Sequence, residues 1–300
     1  MESKGNNEHV AVLVCDTPIP SVAEKFGDFG DNMVDGLKEV GSDIVLEKYQ
    51  VVYENGESNG DHGERLDRVY EVLKKRLIEK KIRGIILTGS RNDSFASSQW
   101  ISKLDEFIQS YIFPLDNFPI VGICFGHQIV AKNLGSKVGR NAKDVGWELG
   151  TTTITLNRDI SDVENSPFAN ALFCEATGKP IGTMNLIESH QDIVFGLPPL
   201  TVLEKRKTSV RSIGSTNKCS IQGLVTEKGP LKILTFQGHP EFTQEEFLEM
   251  LKVNQEMGKL DKSLGEKAAY NTRILCNQGP LVWKIINNFL RFYMINKAEV

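Results

Sequence analysis

The chain has 300 residues, a formal net charge of −4, 40% hydrophobic and 25% charged residues. That is material for a sizeable core in one large domain or two small ones, and it excludes a fibrous or disordered chain. The mild acidity and the lack of a basic cluster with interleaved aromatics argue against a nucleic-acid partner, and no apolar run is long enough to cross a bilayer.

Val10 to Cys15 is a near-continuous apolar run and reads as a buried strand. A second strand region spans Asp43 to Tyr53, and the Gly-, Asn- and acid-rich stretch from Tyr53 to Gly63 reads as a loop. Glu64 to Lys81 carries Leu66, Val69, Tyr70, Leu73, Leu77 and Ile78 at spacings of three and four, the pattern of an amphipathic helix. Its Lys74-Lys75-Arg76 and Lys80-Lys81 read as a solvated face. Gly84 to Leu87 is predicted as a buried strand, Trp100 to Ile112 as a helix, Ile120 to Cys124 as a strand, and Gln128 to Leu134 as a helix. This alternation predicts a mostly parallel sheet with helices on both faces, in which ligands bind beyond the carboxyl ends of strands. Leu149 to Asn157, Thr201 to Arg211, Ile221 to Thr226 and Ile233 to Phe236 are β-type runs without intervening helical periods, read as an antiparallel or mixed extension of the sheet. The tail from Thr243 returns to helical patterns, over Gln244 to Met257 and Leu281 to Ile295.

Five cysteines, Cys15, Cys124, Cys174, Cys219 and Cys276, are an odd number without a C-x-x-C pair. They read as free thiols in a reducing compartment. The polar first residues lack the apolar core of a signal peptide, so a cytoplasmic protein is expected, with the nucleus left open. No Walker-type glycine loop or dinucleotide fingerprint occurs, so no cofactor is expected. Cys124 and His127 are closely spaced but have no second ligand pair at a zinc interval, so no metal is expected.

Ile120-Val-Gly122-Ile-Cys124-Phe125-Gly126-His-Gln128 carries the chemistry. An apolar run ends at a cysteine framed by glycines, and a helical pattern starts at once, as in a nucleophile elbow. The glycines leave room for a turn too tight for side chains. A helix N-terminus at the cysteine favours the thiolate, the nucleophilic form. Much later, Leu234-Thr-Phe236-Gln-Gly238-His239-Pro240-Glu241 offers a histidine and a glutamate in one loop after another apolar strand. Cys124, His239 and Glu241 then read as nucleophile, general base and acid, and orienter. His127 and His190 are the rival histidines.

These motifs resemble class I (triad) glutamine amidotransferases, and the resemblance extends over residues 8 to 242. Leu87-Thr-Gly89-Ser90 is similar to the loop that supplies part of that family's oxyanion hole. Glu188-Ser189-His190-Gln191-Asp192 is similar to its Ser-His-x-Asp stretch near the glutamine pocket. The resemblance implies a flavodoxin-like α/β fold, with residues 243 to 300 as a helical extension packed on the same domain. It selects Glu241 over Glu245 or Glu246 as orienter. Gly89 and Phe125 are implied as backbone oxyanion donors, and Gln128, Ser189, His190 and Asp192 as substrate-binding residues. Ser90 stands where many members have a second glycine; freestanding members similar to plant γ-glutamyl peptidases share the Thr-Gly-Ser form. The implied substrate is a small γ-glutamyl compound: glutamine, with ammonia passed to a separate synthetase subunit, or a γ-glutamyl peptide. A non-catalytic regulatory protein on the same fold is the alternative from another class, and the intact Cys, His and Glu speak against it. Phe125 after Cys124 speaks against the related fold in which histidine follows the cysteine.

Overall fold

A computed structural model describes residues 8–52, 62–162, 165–168, 171–174 and 179–295. The first half runs β1 (His9–Val14), α1 (Pro20–Phe26), α2 (Phe29–Glu39), β2 (Leu46–Gln50), α3 (His62–Ile78), β3 (Ile82–Leu87), α4 (Gln99–Phe107), β4 (Pro119–Ile123) and α5 (Phe125–Asn133). The middle adds β5 (Val138–Arg140), β6 (Glu148–Leu156), β7 (Phe173–Cys174), β8 (Lys179–Pro180), β9 (Thr183–His190), β10 (Asp192–Val194), α6 (Leu200–Lys205), β11 (Ser209–Ser212), β12 (Gly214–Ser215), β13 (Gly223–Lys228) and β14 (Lys232–Phe236). Three helices close the chain: α7 (Gln244–Glu256), α8 (Lys262–Ile274) and α9 (Gly279–Ile295).

The main sheet has seven strands in the order β11-β13-β14-β4-β3-β1-β2. Its five strands from β14 to β2 are parallel, and β13 and β11 add an antiparallel edge. Alternation along β1 assigns the two faces. Ala11, Leu13 and Cys15 pack with Leu66, Tyr70 and Leu73 of α3, Trp100 and Leu104 of α4, and Ile129 of α5. Val10, Val12 and Val14 pack with Met33 and Leu37 of α2 and with Trp283, Ile286 and Phe289 of α9. Period-two burial of both faces is why the strand reads as one apolar run. A Cβ on Gly36 of α2 would lie 2.1 Å from Trp283 Cε2, so this glycine is what lets α9 lie against α2.

Several elements differ from the sequence expectations, among them the helices α1, α2 and α8, which were not expected. The Leu149–Asn157 run forms β6, but in a separate three-stranded sheet, β12-β6-β9, beside the main one. The Thr201–Arg211 run is not one strand: Leu200–Lys205 is a helix and only Ser209–Ser212 is extended. Pro199 caps that helix with its fixed φ, which outweighs the β preference of Thr201 and Val202. The Trp100–Ile112 helix holds, but its last turn, Ile108–Ile112, is a π-helical turn. Most of the loop expected from Tyr53 to Gly63 lies outside the described residues, and α3 begins at His62.

Candidate active site

Parallel pairing of β4 with β14 and β3 brings three strand ends together. Ile123 is in register with Phe236, and Leu87 with Gly122. The chain turns sharply at Cys124, whose φ is 51° and ψ −102°, and α5 starts at the next residue. Positive φ is costly for a residue with a Cβ, about 1–3 kcal/mol, and such strain is found where the surroundings over-determine it. Here the Cys124 N–H donates to Phe236 O at 2.8 Å, and Cys124 O accepts from Gln128 N at 3.0 Å. The flanking glycines are required by contact. A Cβ on Gly122 would stand 2.5 Å from Gly126 O, and one on Gly126 would stand 2.3 Å from Leu87 O.

His239 follows β14 on a loop docked against β9. Its N–H donates to Ile187 O at 2.8 Å, and a Cβ on Gly238 would meet Glu188 Oε1 at 2.5 Å. From beneath, Trp283 Nε1 of α9 donates to Pro240 O at 3.2 Å. His239 Nδ1 and Glu241 Oε1 are 2.8 Å apart, and both side chains are buried. Phe242 lies flat on the imidazole, with centroids 4.4 Å apart and planes 9° from parallel. The other ring nitrogen, Nε2, is buried. Burial pushes the His239 pKa down, but the charge of Glu241 and the charge and hydrogen bonding of Cys124 outweigh it and hold it well above the ordinary value. A Cβ on Gly89 would lie 3.1 Å from His239 Cε1 and 3.7 Å from Cys124 Cβ, so the loop after β3 closes the third side.

That loop is fixed by side chains. Thr88 Oγ1 accepts from Cys15 N at 2.9 Å and donates to Gly89 O at 3.0 Å. Ser90 Oγ accepts from Asn92 N at 3.1 Å. Asp16, buried, takes the Arg91 N–H at 2.6 Å and its guanidinium at 2.9 and 3.0 Å. Phe125, directly after Cys124, is fully buried against Trp100 at the start of α5.

A cavity of about 470 Å³ opens over Cys124, and Gly89, Gln128, Ser189, His190, Asp192, His239 and Glu241 all line it. Gln128 Nε2 donates to Asp192 O at 3.0 Å and to Gln237 Oε1 at 3.1 Å, so its amide ties α5 to the strand ends. Asp192 pairs with Arg140, which also binds Asp93 at 2.6 Å. Burial and the nearby Asp93, against the pull of Arg140, push the Asp192 carboxyl up to about 6.

His190 does not face Cys124 as a rival base. Its Nε2 sits 3.1 Å from Glu148 and 3.2 Å from Glu188, and its Nδ1 3.1 Å from Asp192 O. Burial lowers its pKa, but the two carboxylates raise it to about 10. The donor atoms of Glu148, Glu188 and His190 lie within 4.8 Å of one another, close enough to hold a metal ion; burial raises the Glu188 carboxyl, against the pull of His190. His127 is buried on Thr235 Oγ1 at 2.8 Å, and burial first, then His190, lowers it to about 3.

Sequence reasoning missed Arg140, Asp93, Glu148 and Phe242. The first three act through partners distant in the chain, and Phe242 has no distinguishing context in sequence. Cys15 and Cys219 are buried, and burial drives both thiols up, Cys15 to about 12. Cys276 is exposed.

A family model for class-I glutamine amidotransferases matches residues 27–255. The chain belongs to that family. It is 32% identical over 248 residues to a glutamine amidotransferase-like protein of Schizosaccharomyces pombe, covering 82% of this chain and 84% of that one. It is 27% identical over 236 residues to γ-glutamyl peptidase 2 of Arabidopsis thaliana, covering 77% of this chain and 84% of the other. It is 28% identical to a glutamine-hydrolysing GMP synthase subunit of Thermococcus kodakarensis, covering 65% of this chain and 90% of the other. A glutamine amidotransferase of Thermotoga maritima shares the fold, with a TM-score of 0.58 at 20% identity over 94% of this chain and 99% of the other. The expected α/β fold of this family, a mostly parallel sheet between helices, is therefore the one observed. No described helix is long and apolar enough to cross a membrane.

Proposed function

We propose that the protein hydrolyses γ-glutamyl amides through a thioester on Cys124, with glutamine the simplest substrate of the class. The observation that carries this reading is the meeting of Cys124, at a strained strand-to-helix turn, with a buried His239–Glu241 pair bonded at 2.8 Å. A raised His239 favours the proton-bearing imidazole beside Cys124, and the thiolate is the nucleophilic form of a cysteine.

The thiolate attacks the side-chain carbonyl carbon. The N–H groups of Gly89 and Phe125 receive the oxyanion, and each such donor is worth about 3 kcal/mol. His239 gives its proton to the departing nitrogen as the C–N bond breaks, leaving a γ-glutamyl thioester and a free amine or ammonia. Water then attacks the thioester; His239 takes its proton, the C–S bond breaks, and glutamate leaves. Glu241 and the Phe242 ring keep the imidazole in place through both steps. Gln128, Ser189 and Asp192, with Arg140 behind Asp192, receive the amino-acid end of the substrate. His190 shapes that wall from behind through its ion pairs.

Transfer of ammonia to a separate synthetase partner is a second reading, favoured by the likeness to the GMP synthase chain. The test is release of glutamate from glutamine and from γ-glutamyl dipeptides by the purified protein without ATP, with Cys124→Ala as control. Turnover by the wild type and none by the variant is expected. Equal turnover by both refutes the reading, and activity only with added cell extract moves it to the partner-dependent form.

A further inference from the structure

We infer that the leaving group this site accepts is an amine carrying an apolar or aromatic group, and that the α7–α8 hairpin builds the subsite for it. The inference rests on the hydrolase reading above and specifies the side of the scissile bond that reading leaves open.

The cavity over Cys124 has two unlike halves. On the side of Gln128, Ser189 and Asp192 it is polar, with Arg140 paired to Asp192 and Asp93. Toward His239 and the α7–α8 hairpin the lining is mostly apolar, with Asn254, Lys259 and Asp261 among it. There the ring of Phe242 lies on the imidazole, and the cavity runs on between Ile19 and Val22 of the α1 region and Met250, Leu260 and Leu264 of the hairpin, with Leu149 of β6 at the junction, paired in register with Ser189. Leu149, Met250, Leu260 and Ile19 are only partly buried, so their open faces are the wall of this chamber.

Chemistry assigns the halves. The group that protonates the departing nitrogen must touch it, and that group is His239, so the amine leaves on the His239 side. The charged amino-acid end of a γ-glutamyl group then occupies the polar side. Ammonia needs no chamber beyond His239. At about 470 Å³ the whole cavity is within the range that encloses ligands of drug size. The apolar walls there gain most from an apolar occupant, while Asn254, Lys259 and Asp261 leave room for a polar end on the same group.

The chamber is also held as a unit. Lys25 of α1 pairs with Glu245 of α7 at 2.7 Å. Thr243 and Asp261 cap α7 and α8 through Glu246 N and Leu264 N, which fixes where both helices start. Gln255 Nε2 of α7 donates to Lys262 O of α8 at 3.2 Å.

The experiment compares kcat/KM for glutamate release from glutamine, γ-glutamyl-glycine, γ-glutamyl-leucine and γ-glutamyl-phenylalanine, each with Cys124→Ala as control. A pocket that fills with apolar groups discriminates by about 10–200-fold per methylene-sized change. Leucine and phenylalanine conjugates are therefore expected at least about 100-fold above glycine. Met250→Gln and Leu264→Gln, made separately because either one can perturb packing, are each expected to cut the phenylalanine conjugate about 10-fold or more and to cut γ-glutamyl-glycine several-fold less. Cys124-dependent release that is flat across the series, or best for glutamine, overturns the inference while the hydrolase reading stands. No Cys124-dependent release from any member overturns both.

Discussion

Replacing His190 by glutamine removes the proton held between Glu148 and Glu188 and so changes how stability depends on pH. The His190 pKa is raised to about 10 in the folded protein, against about 6.5 in an unfolded chain. A histidine raised on folding contributes stability that is fully present below pH 6.5 and is lost as pH rises through 10. Between those limits one proton held only by the folded state gives a slope of about 1.4 kcal/mol per pH unit. His239 and the buried Glu188 are raised too and add slopes of the same sign, so the readout is the difference between wild type and variant. His127, lowered to about 3, titrates below this window. Urea unfolding followed by tryptophan fluorescence at pH 6.5, 7.5 and 8.5 measures it. The variant is expected to lose about 3–5 kcal/mol at pH 6.5, because breaking a buried pair strands its partners. Its stability is expected to fall less steeply with pH than that of the wild type, by about 1.4 kcal/mol per unit. Parallel pH curves for the two proteins refute a charged His190.

Glu241→Gln is expected to lower kcat for glutamate release by at least about 100-fold with little change in KM, since an orienting carboxylate acts mainly in the transition state; an unchanged kcat contradicts the role. Because Glu241 helps hold His239 high, the same variant is expected to shift the histidine limb of the pH–rate profile downward. Cys124→Gly, by relieving the positive φ, is expected to unfold at higher urea than Cys124→Ala by about 1–3 kcal/mol, and equal midpoints would deny the strain. Gly122→Ala places a Cβ 2.5 Å from backbone at Gly126, so a loss of about 1–3 kcal/mol or more is expected in thermal melts, together with lower activity.

The elbow was legible because its constraints are local. Gly122, Cys124 and Gly126 act through contacts within a few residues, plus one strand neighbour, and local spacing carries such information. The parallel sheet was legible because β1, β3 and β4 are buried on both faces and show as apolar runs. The placement of β14 beside β4 was not, since an apolar run does not say which strand it joins. The Thr201–Arg211 run misled because Thr and Val favour strands while the deciding signal was Pro199 just before it. His190 and Asp192 stand in the stretch that the family resemblance marked for the pocket, and both line the cavity. Their partners Glu148, Arg140 and Asp93 come from other elements and have no mark in the sequence. The apolar chamber is likewise a product of packing: Leu149, Met250, Leu260 and Leu264 read as ordinary periodic residues until α7 and α8 are folded back over β6.

Cys124 is the proposed nucleophile for a γ-glutamyl substrate. Its most direct test is mass-spectrometric peptide mapping after brief treatment with an electrophilic glutamine analogue. Cys15 and Cys219 are buried and their thiols are driven up, so the exposed Cys276 is the internal control for unassisted reactivity. A single adduct on Cys124 is expected, formed well before any on Cys276 and suppressed by excess glutamine or γ-glutamyl dipeptide. Labelling of Cys276 ahead of Cys124, or labelling of Cys124 that no γ-glutamyl compound protects, would contradict it.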